Sequence, residues 1–325
     1  MIEKEARFKK KNVITNYLTK YGIFFILLVL VILFSIISPN FLTAQNIFNV
    51  LRQVAIIGVV SVGMTTVLLT GGIDLSVGSV IGVSCVLAAQ LLILGVNPYL
   101  TILIVLITCA LIGLLNGFFI NKLKIPPLIT TLGMLTALRG VAFLITGGMP
   151  IFGFESDILV LGRGMAWIVP VPVIIMMIIF AVGILFLERS RYGRYIYGVG
   201  GNEEASRLSG INVIKIKYMT YMICGLLSGL AGIMYLGRVN SGTPRAGEGY
   251  ELQIITAVVL GGVSISGGEG KLGLVVIGVL IMGVLNNGMI LLNVQEYVQW
   301  VISGLVLIAA VGFDKFAQSR KFSIA

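Results

Sequence analysis

The chain has 325 residues, of which 58% are hydrophobic and 11% are charged, and its mean hydropathy is +1.06. Soluble domains carry about 25% charged residues, so this composition excludes a soluble domain. The absence of histidine excludes histidine-based acid–base, triad and metal chemistry. Apolar segments of about 20 residues recur along the whole chain, which predicts an all-α polytopic membrane protein with about ten transmembrane helices in a single domain.

The net charge is +10, but the basic residues are spread among loops, which argues against a nucleic acid partner. The three cysteines, Cys85, Cys109 and Cys224, lie inside apolar runs and lack the spacing of metal ligands. We therefore expect no catalytic residue and no metal site in this chain.

Residues 1–20 form a basic tail that leads into an apolar run over residues 21–37. Signal peptides begin in the same way, but this run lacks a small-x-small cleavage site, so we predict a retained first helix that Pro39 ends. Residues 40–53 have an amphipathic pattern and predict an interfacial segment ahead of the second span at residues 54–70.

A glycine-rich junction follows the second span and leads into the third. Gly71, Gly72 and Gly78 surround Asp74 there, and glycine permits backbone conformations that other residues rarely adopt. Two interpretations stay open. The junction is either a gate or hinge, or a tight cytoplasmic turn in which Asp74 or Ser76 caps a helix.

Arg139 stands out in the fifth span, which we predict at residues 125–146 after a fourth span at residues 99–120. An arginine at membrane depth is costly unless it faces protein or water. It therefore either lines a cavity or pairs with another part of the protein. A long loop over residues 147–170 then leads to the sixth span at residues 171–187.

A charged loop at residues 188–217 contains a short helix with recognisable ends. Asn202 is a good N-cap, Glu203 and Glu204 place negative charge on the first turn, and Gly210 supplies a left-handed stop. So short a helix needs support from elsewhere. It is either a connector held by its own membrane domain or a docking element for another protein.

A second glycine-rich junction contains Gly267 and Gly268 and is another candidate gate or hinge. It is not a phosphate loop, because Ile265 occupies the position of the first glycine and Leu272 follows Lys271 where Ser or Thr is required. The remaining predicted segments are the seventh to tenth spans, at residues 218–237, 254–266, 272–292 and 297–313, and a tail at residues 314–325.

Ten spans can be tested against the distribution of charge. With the N-terminus inside, 18 Lys and Arg residues fall on the inner face, 4 on the outer face and Arg139 within a span. This asymmetry agrees with the positive-inside rule and predicts that both termini and the charged loop are cytoplasmic.

Two short segments resemble each other, residues 113–117 (GLLNG) and residues 283–288 (GVLNNG). They lie in spans that run in opposite directions under this topology, which predicts an inverted repeat of spans 2–5 and 7–10. No carboxylate lies in the middle of a predicted span, and this argues against a proton-driven carrier. An exposed cytoplasmic helix then suggests an energy source on another subunit.

Residues 191–197, 200–205 and 207–211 closely resemble the cytoplasmic loop of ribose-type sugar permeases of bacterial ABC importers. Four further segments resemble the same family, in an order and spacing that match it from about residue 20 to residue 313. They are residues 38–41, 72–78, 249–252 and 258–262.

The resemblance implies a multi-pass subunit of the bacterial cytoplasmic (inner) membrane, surrounded by lipid, that is not an enzyme and binds no cofactor. Its implied partners are a second permease copy, a cytoplasmic ABC ATPase that carries ATP and Mg, and an extracytoplasmic sugar-binding protein. Overall similarity favours ribose as the cargo. The implied ATPase-coupling residues are Asn202, Glu203, Glu204, Ala205, Arg207, Leu208, Ser209 and Gly210.

A neutral sugar needs hydrogen-bonding partners that release it readily. Asn116, Asn286, Asn287 and Arg139 are the candidates for the translocation path, although asparagines also bond neighbouring helices. Two functions of other classes stay open, namely an autonomous secondary sugar carrier and a membrane scaffold that binds an ATPase but conducts nothing.

Overall fold

A computed structural model of the protein describes residues 22–322, so the predicted tail at residues 1–20 lies outside the described part. Within that part the chain is mostly helical. The helices are α1 (Gly22–Ile37), α2 (Ala44–Leu69), α3 (Val77–Ile93), α4 (Pro98–Asn121), α5 (Pro127–Thr146), α6 (Val160–Arg163), α7 (Val171–Arg189), α8 (Arg191–Gly201), α9 (Glu203–Leu208), α10 (Val213–Val239), α11 (Tyr250–Leu260), α12 (Leu272–Leu291) and α13 (Glu296–Phe322).

Within residues 22–322, six helices are long and apolar enough to cross a membrane, namely α2, α4, α5, α7, α10 and α12. Shorter apolar helices are α1, α3, α11 and the part of α13 up to Gly312. The predicted polytopic all-α membrane architecture is therefore confirmed. The last helix extends past the predicted end of the tenth span at residue 313 and includes most of the predicted C-terminal tail.

The predicted interfacial segment at residues 40–53 is continuous with the second span, because α2 runs without a break from Ala44 to Leu69. The Thr43 hydroxyl accepts the amide of Asn46 and caps the helix start. One polar residue of this segment serves a helix contact, since the buried Asn46 side chain bonds to Asn287 of α12. An amphipathic pattern alone does not tell a lipid surface from a neighbouring helix.

The predicted loop at residues 147–170 contains local structure. A 3₁₀ turn, Asp157–Leu159, runs into α6, and a two-residue turn then joins β1 (Met165–Ala166) to β2 (Val169–Pro170) in an antiparallel hairpin. Trp167 in that turn has a positive φ of 58°.

The long helix α10 lies at the centre of the bundle and packs against α2, α3 and α4. Glycines on α10 permit this close approach. A β-carbon on Gly225 would overlap the backbone of α4 at Cys109, and one on Gly232 would lie 2.5 Å from the side chain of Ser84 in α3.

The two short helices α3 and α11 have corresponding neighbours. Helix α3 packs on α4 and α5, and α11 packs on α12 and α13. Likewise, α10 packs on α4 and α2 packs on α12. These contacts place the starts of α3 and α11, and the polar residues around them, inside the bundle.

Candidate coupling and translocation site

The short helix α9 has the ends predicted for it. The Asn202 side-chain oxygen accepts the amide of Ala205 at 2.9 Å and so caps the first turn. Gly210 follows the helix with a left-handed φ of 81°. Arg207 forms ion pairs with Glu203 at 3.0 Å and Glu204 at 3.2 Å, which link the two turns of the helix.

Helix α9 is held from one side by α10. The Lys217 ammonium of α10 donates to Glu203 at 2.6 Å, and this hydrogen bond, followed by the charges of Lys217 and Arg207, lowers the pKa of Glu203 below its ordinary value of 4.5. Ser206 is buried, whereas Leu208 is 81% exposed.

The first glycine junction contains a buried polar cluster. One carboxylate oxygen of Asp74 accepts the amide of Ser76 at 3.0 Å and its hydroxyl at 2.6 Å. The Asn116 amide of α4 donates to the Ser76 hydroxyl at 2.9 Å. All three residues are at most 1% exposed. This geometry supports the cap interpretation of Asp74, because its bonds organise the turn that opens α3.

Three glycines of this junction are needed for different reasons. Gly71 has a left-handed φ of 75°. A β-carbon on Gly72 would lie 2.6 Å from the Tyr221 hydroxyl of α10, and one on Gly78 would lie 2.5 Å from the carbonyl oxygen of Gly247. The absence of a side chain at Gly72 and Gly78 therefore permits other segments to pack closely against the junction.

The second junction touches the first, although more than half of the chain separates them in sequence. Gly267 and Gly268 both have a left-handed φ, of 86° and 74°. The amide of Gly268 donates to the carbonyl of Leu69, the last residue of α2, at 3.0 Å. The candidate gates are thus adjacent backbone segments.

Four candidates for the translocation path, Asn116, Arg139, Asn286 and Asn287, are not brought together. Asn116 bonds to the cluster at the start of α3, whereas Asn286 donates to Gln253 of α11 at 2.7 Å. Asn287 and Asn46 exchange two hydrogen bonds of 2.8 and 2.9 Å. Each asparagine therefore joins its own helix to another element.

Arg139 binds the link that precedes α11. Its Nη1 donates to the carbonyl of Pro244 at 2.7 Å and to that of Ala246 at 2.9 Å. Buried backbone carbonyls that lie outside a helix need such partners. Of the two roles left open for Arg139, lining a cavity or pairing with another part of the protein, this contact matches the second.

Glu251, in the first turn of α11, was missing from the predicted site. Its Oε2 atom is buried without a hydrogen-bond partner among the described residues and lies against Gly78. The predicted eighth span at residues 254–266 was placed too late, because α11 runs from Tyr250 to Leu260. Two glycines just before Tyr250, Gly247 and Gly249, were the sequence signal for a helix start at that residue. Both adopt a left-handed φ, of 71° and 77°.

Comparison with known proteins identifies the group to which the chain belongs. The family model for the permease component of branched-chain amino acid transport systems matches residues 46–311. The chain belongs to this permease family. It is therefore a transport subunit and not an enzyme, as predicted, and the matched region includes every candidate site residue.

Individual relatives of the permease confirm the resemblance to ribose-type permeases. It is 46% identical over 298 residues to the ribose import permease protein RbsC of Bacillus subtilis (strain 168), covering 91% of this chain and 92% of that protein. The Escherichia coli (strain K12) RbsC is 45% identical over 296 residues, covering 90% and 92%. The L-arabinose transport system permease protein AraH of Escherichia coli (strain K12) is 38% identical over 305 residues, covering 94% and 93%. No solved structure matches the permease.

Proposed function

We propose that this permease is the membrane-spanning subunit of an ATP-driven monosaccharide importer, with ribose as its cargo. The observation that carries the proposal is the identity of 46% and 45% with two ribose import permeases over at least 90% of the chain. Identity with the arabinose permease is lower, at 38%. Two copies of the permease would form the translocation path, and an extracytoplasmic sugar-binding protein would deliver the sugar to it.

The ATPase would bind at α9 on the cytoplasmic side and would carry ATP and Mg. Support comes from the capped ends of α9 and from its exposed charged face, on which the Arg207 and Glu204 side chains are 59% and 69% exposed. The ion pair between Lys217 and Glu203 would link the movement of α9 to that of α10. The proposed coupling residues are those of the sequence prediction, from Asn202 to Gly210, without residue 206.

Ten helices would cross the bacterial cytoplasmic membrane with both termini inside. The predicted cytoplasmic segments lie together, since the Lys315 ammonium of α13 bonds to Ser266 at 2.8 Å and Gly268 bonds to Leu69. Predicted outer segments also meet, at a backbone bridge between Ile151 and Gly242. The tails at residues 1–20 and 314–325 and the loop at residues 188–217 would all be cytoplasmic.

An inverted repeat would relate α2–α5 to α10–α13. The corresponding contacts of α3 and α11 support it, as does the parallel between two asparagines. Asn116 bonds to the start of α3 and Asn286 bonds to the start of α11. The two glycine junctions would then be the inner gate of the path.

Reconstitution with the cognate ATPase and sugar-binding protein in proteoliposomes tests the proposal. Uptake of labelled ribose should require internal ATP and should exceed uptake of arabinose or allose. Uptake without ATP or ATPase would favour the secondary carrier, and ATPase binding without any uptake would favour the scaffold.

Removing both caps of α9 tests the coupling role. Each cap contributes about 1 kcal/mol, so Asn202→Ala with Gly210→Ala should lower sugar-stimulated ATP hydrolysis and uptake while the permease stays in the membrane. Asn97→Ala is a matched control, because Asn97 caps α4 in the same manner. Unchanged stimulation and uptake in the double variant would show that α9 is only a connector.

A further inference from the structure

The last turn of α8 contains two adjacent glycines in different surroundings. Gly200 lies so close to the end of α2 that a β-carbon there would overlap the carbonyl oxygen of Leu69. The same β-carbon would lie 2.5 Å from the amide nitrogen of Gly268. Gly201, by contrast, is exposed, and a β-carbon there would meet no atom within 4 Å.

Gly200 is therefore part of a three-way contact between backbone segments. The Gly268 amide donates to the Leu69 carbonyl at 3.0 Å, and both groups face Gly200. A β-carbon on Gly267 would lie 2.9 Å from the Gly71 nitrogen and 3.0 Å from the Gly200 oxygen. The contact thus includes both predicted glycine junctions and the end of α8.

Helix α8 is coupled to α9 through one shared residue. Asn202 is the C-cap of α8 and the N-cap of α9, so the two helices cannot move far apart. A second bond joins α8 to the same junction, because the Tyr197 hydroxyl donates to the Gly270 carbonyl at 2.9 Å. Any displacement of α9 therefore also moves the end of α8, where Gly200 lies.

We propose that Gly200 is the positioning residue through which α9 moves both glycine junctions together. This inference rests on the proposed coupling function of α9. Backbone segments in van der Waals contact have no side-chain rotamers to absorb a displacement, and closely packed interiors transmit strain. A shift of α8 would thus reach Leu69 at the first junction and Gly268 at the second in one step.

The test compares Gly200→Ala with Gly201→Ala in the complete transporter, with ATPase and sugar-binding protein in proteoliposomes. Coupling between sites is typically about 5- to 150-fold, and we expect Gly200→Ala to lower sugar-stimulated ATP hydrolysis and uptake by about tenfold. Basal hydrolysis and copurification of the ATPase should stay at the wild-type level. Gly201→Ala should behave as wild type in every assay.

Wild-type coupling in the Gly200→Ala variant would overturn the proposal. If that variant is lost from the membrane, Tyr197→Phe tests the proposal instead. It removes the hydrogen bond to the Gly270 carbonyl without adding any atoms. Its coupling should fall about threefold, the size expected for one neutral hydrogen bond, and an unchanged value would overturn the proposal. Failure of the proposed function looks different, since the wild-type transporter itself would then show no ATP-dependent uptake.

Discussion

The starts of α3 and α11 have corresponding neighbours but satisfy their buried backbone in different ways. Helix α3 follows a short link, and Asp74 within that link accepts the amide and hydroxyl of Ser76. Helix α11 follows a longer link from Asn240 to Gly249, whose carbonyls at Pro244 and Ala246 are bound by an arginine from α5. The first link is also bound from another helix, since the Tyr221 hydroxyl of α10 donates to the Ile73 carbonyl at 3.2 Å, whereas the second has two carbonyls bound by one arginine.

This difference follows from the number of backbone groups that each link leaves outside a helix. In the first link, the Asp74 carboxylate accepts the Ser76 amide as in an Asx turn, and the Tyr221 hydroxyl donates to the Ile73 carbonyl. The second link, from Asn240 to Gly249, is longer and has more groups to satisfy, and the Arg139 Nη1 nitrogen alone donates to two of its carbonyls. Arg139 therefore explains how the second link stays irregular, and the variants below test the comparison.

The largest effect is expected for Arg139→Leu. Hydrogen bonds to charged groups are worth about 1.5 to 3 kcal/mol each, so losing both should lower the free energy of unfolding by about 3 kcal/mol. Thermal unfolding in detergent measures this, and Arg139→Lys should recover part of the loss because lysine keeps the charge. Normal stability with lost uptake would instead assign Arg139 to the translocation path.

Asn116→Leu should have the next largest effect, since it disrupts the cluster at the start of α3. The Asn116 amide bonds to Ser76 and approaches both oxygens of Asp74 at 3.4 Å. We expect a loss of about 1.5 kcal/mol, near the upper end of values for membrane helices. Asn121→Leu on the same helix is the control, because Asn121 bonds to the Gly117 carbonyl of α4 itself. Lost uptake at unchanged stability would identify Asn116 as a path residue.

Asn287→Leu should destabilise the protein by about 1 kcal/mol, because two reciprocal bonds to Asn46 disappear. A double-mutant cycle with Asn46→Leu measures the pair directly. The double variant should lose little more than either single variant. Additive losses would show that the two amides do not depend on each other.

Asn286→Leu should have the smallest effect, about 0.6 kcal/mol, since it removes one bond to the half-buried Gln253. Thermal unfolding of this variant beside Asn116→Leu compares the contacts at the starts of α3 and α11. Equal losses would contradict the difference inferred between the α3 and α11 starts. Loss of uptake with unchanged stability would assign Asn286 to the path.

Local chemistry was readable from the sequence. The caps of α9 at Asn202 and Gly210 were predicted correctly, because a cap depends on residues within one turn of the helix end. Membership of the permease family was also readable, since motifs along nearly the whole chain carry it. The polytopic all-α architecture followed from composition and the recurrence of apolar runs.

Long-range contacts were decided only by the tertiary structure. The meeting of Gly200, Leu69 and Gly268 joins segments that lie far apart in the chain, and no local pattern encodes it. The partners of Arg139 are likewise backbone carbonyls, which look the same at every position in a sequence. Residue types determine what each segment can form locally, but packing decides which buried groups meet, because each must find a partner among all the elements that surround it.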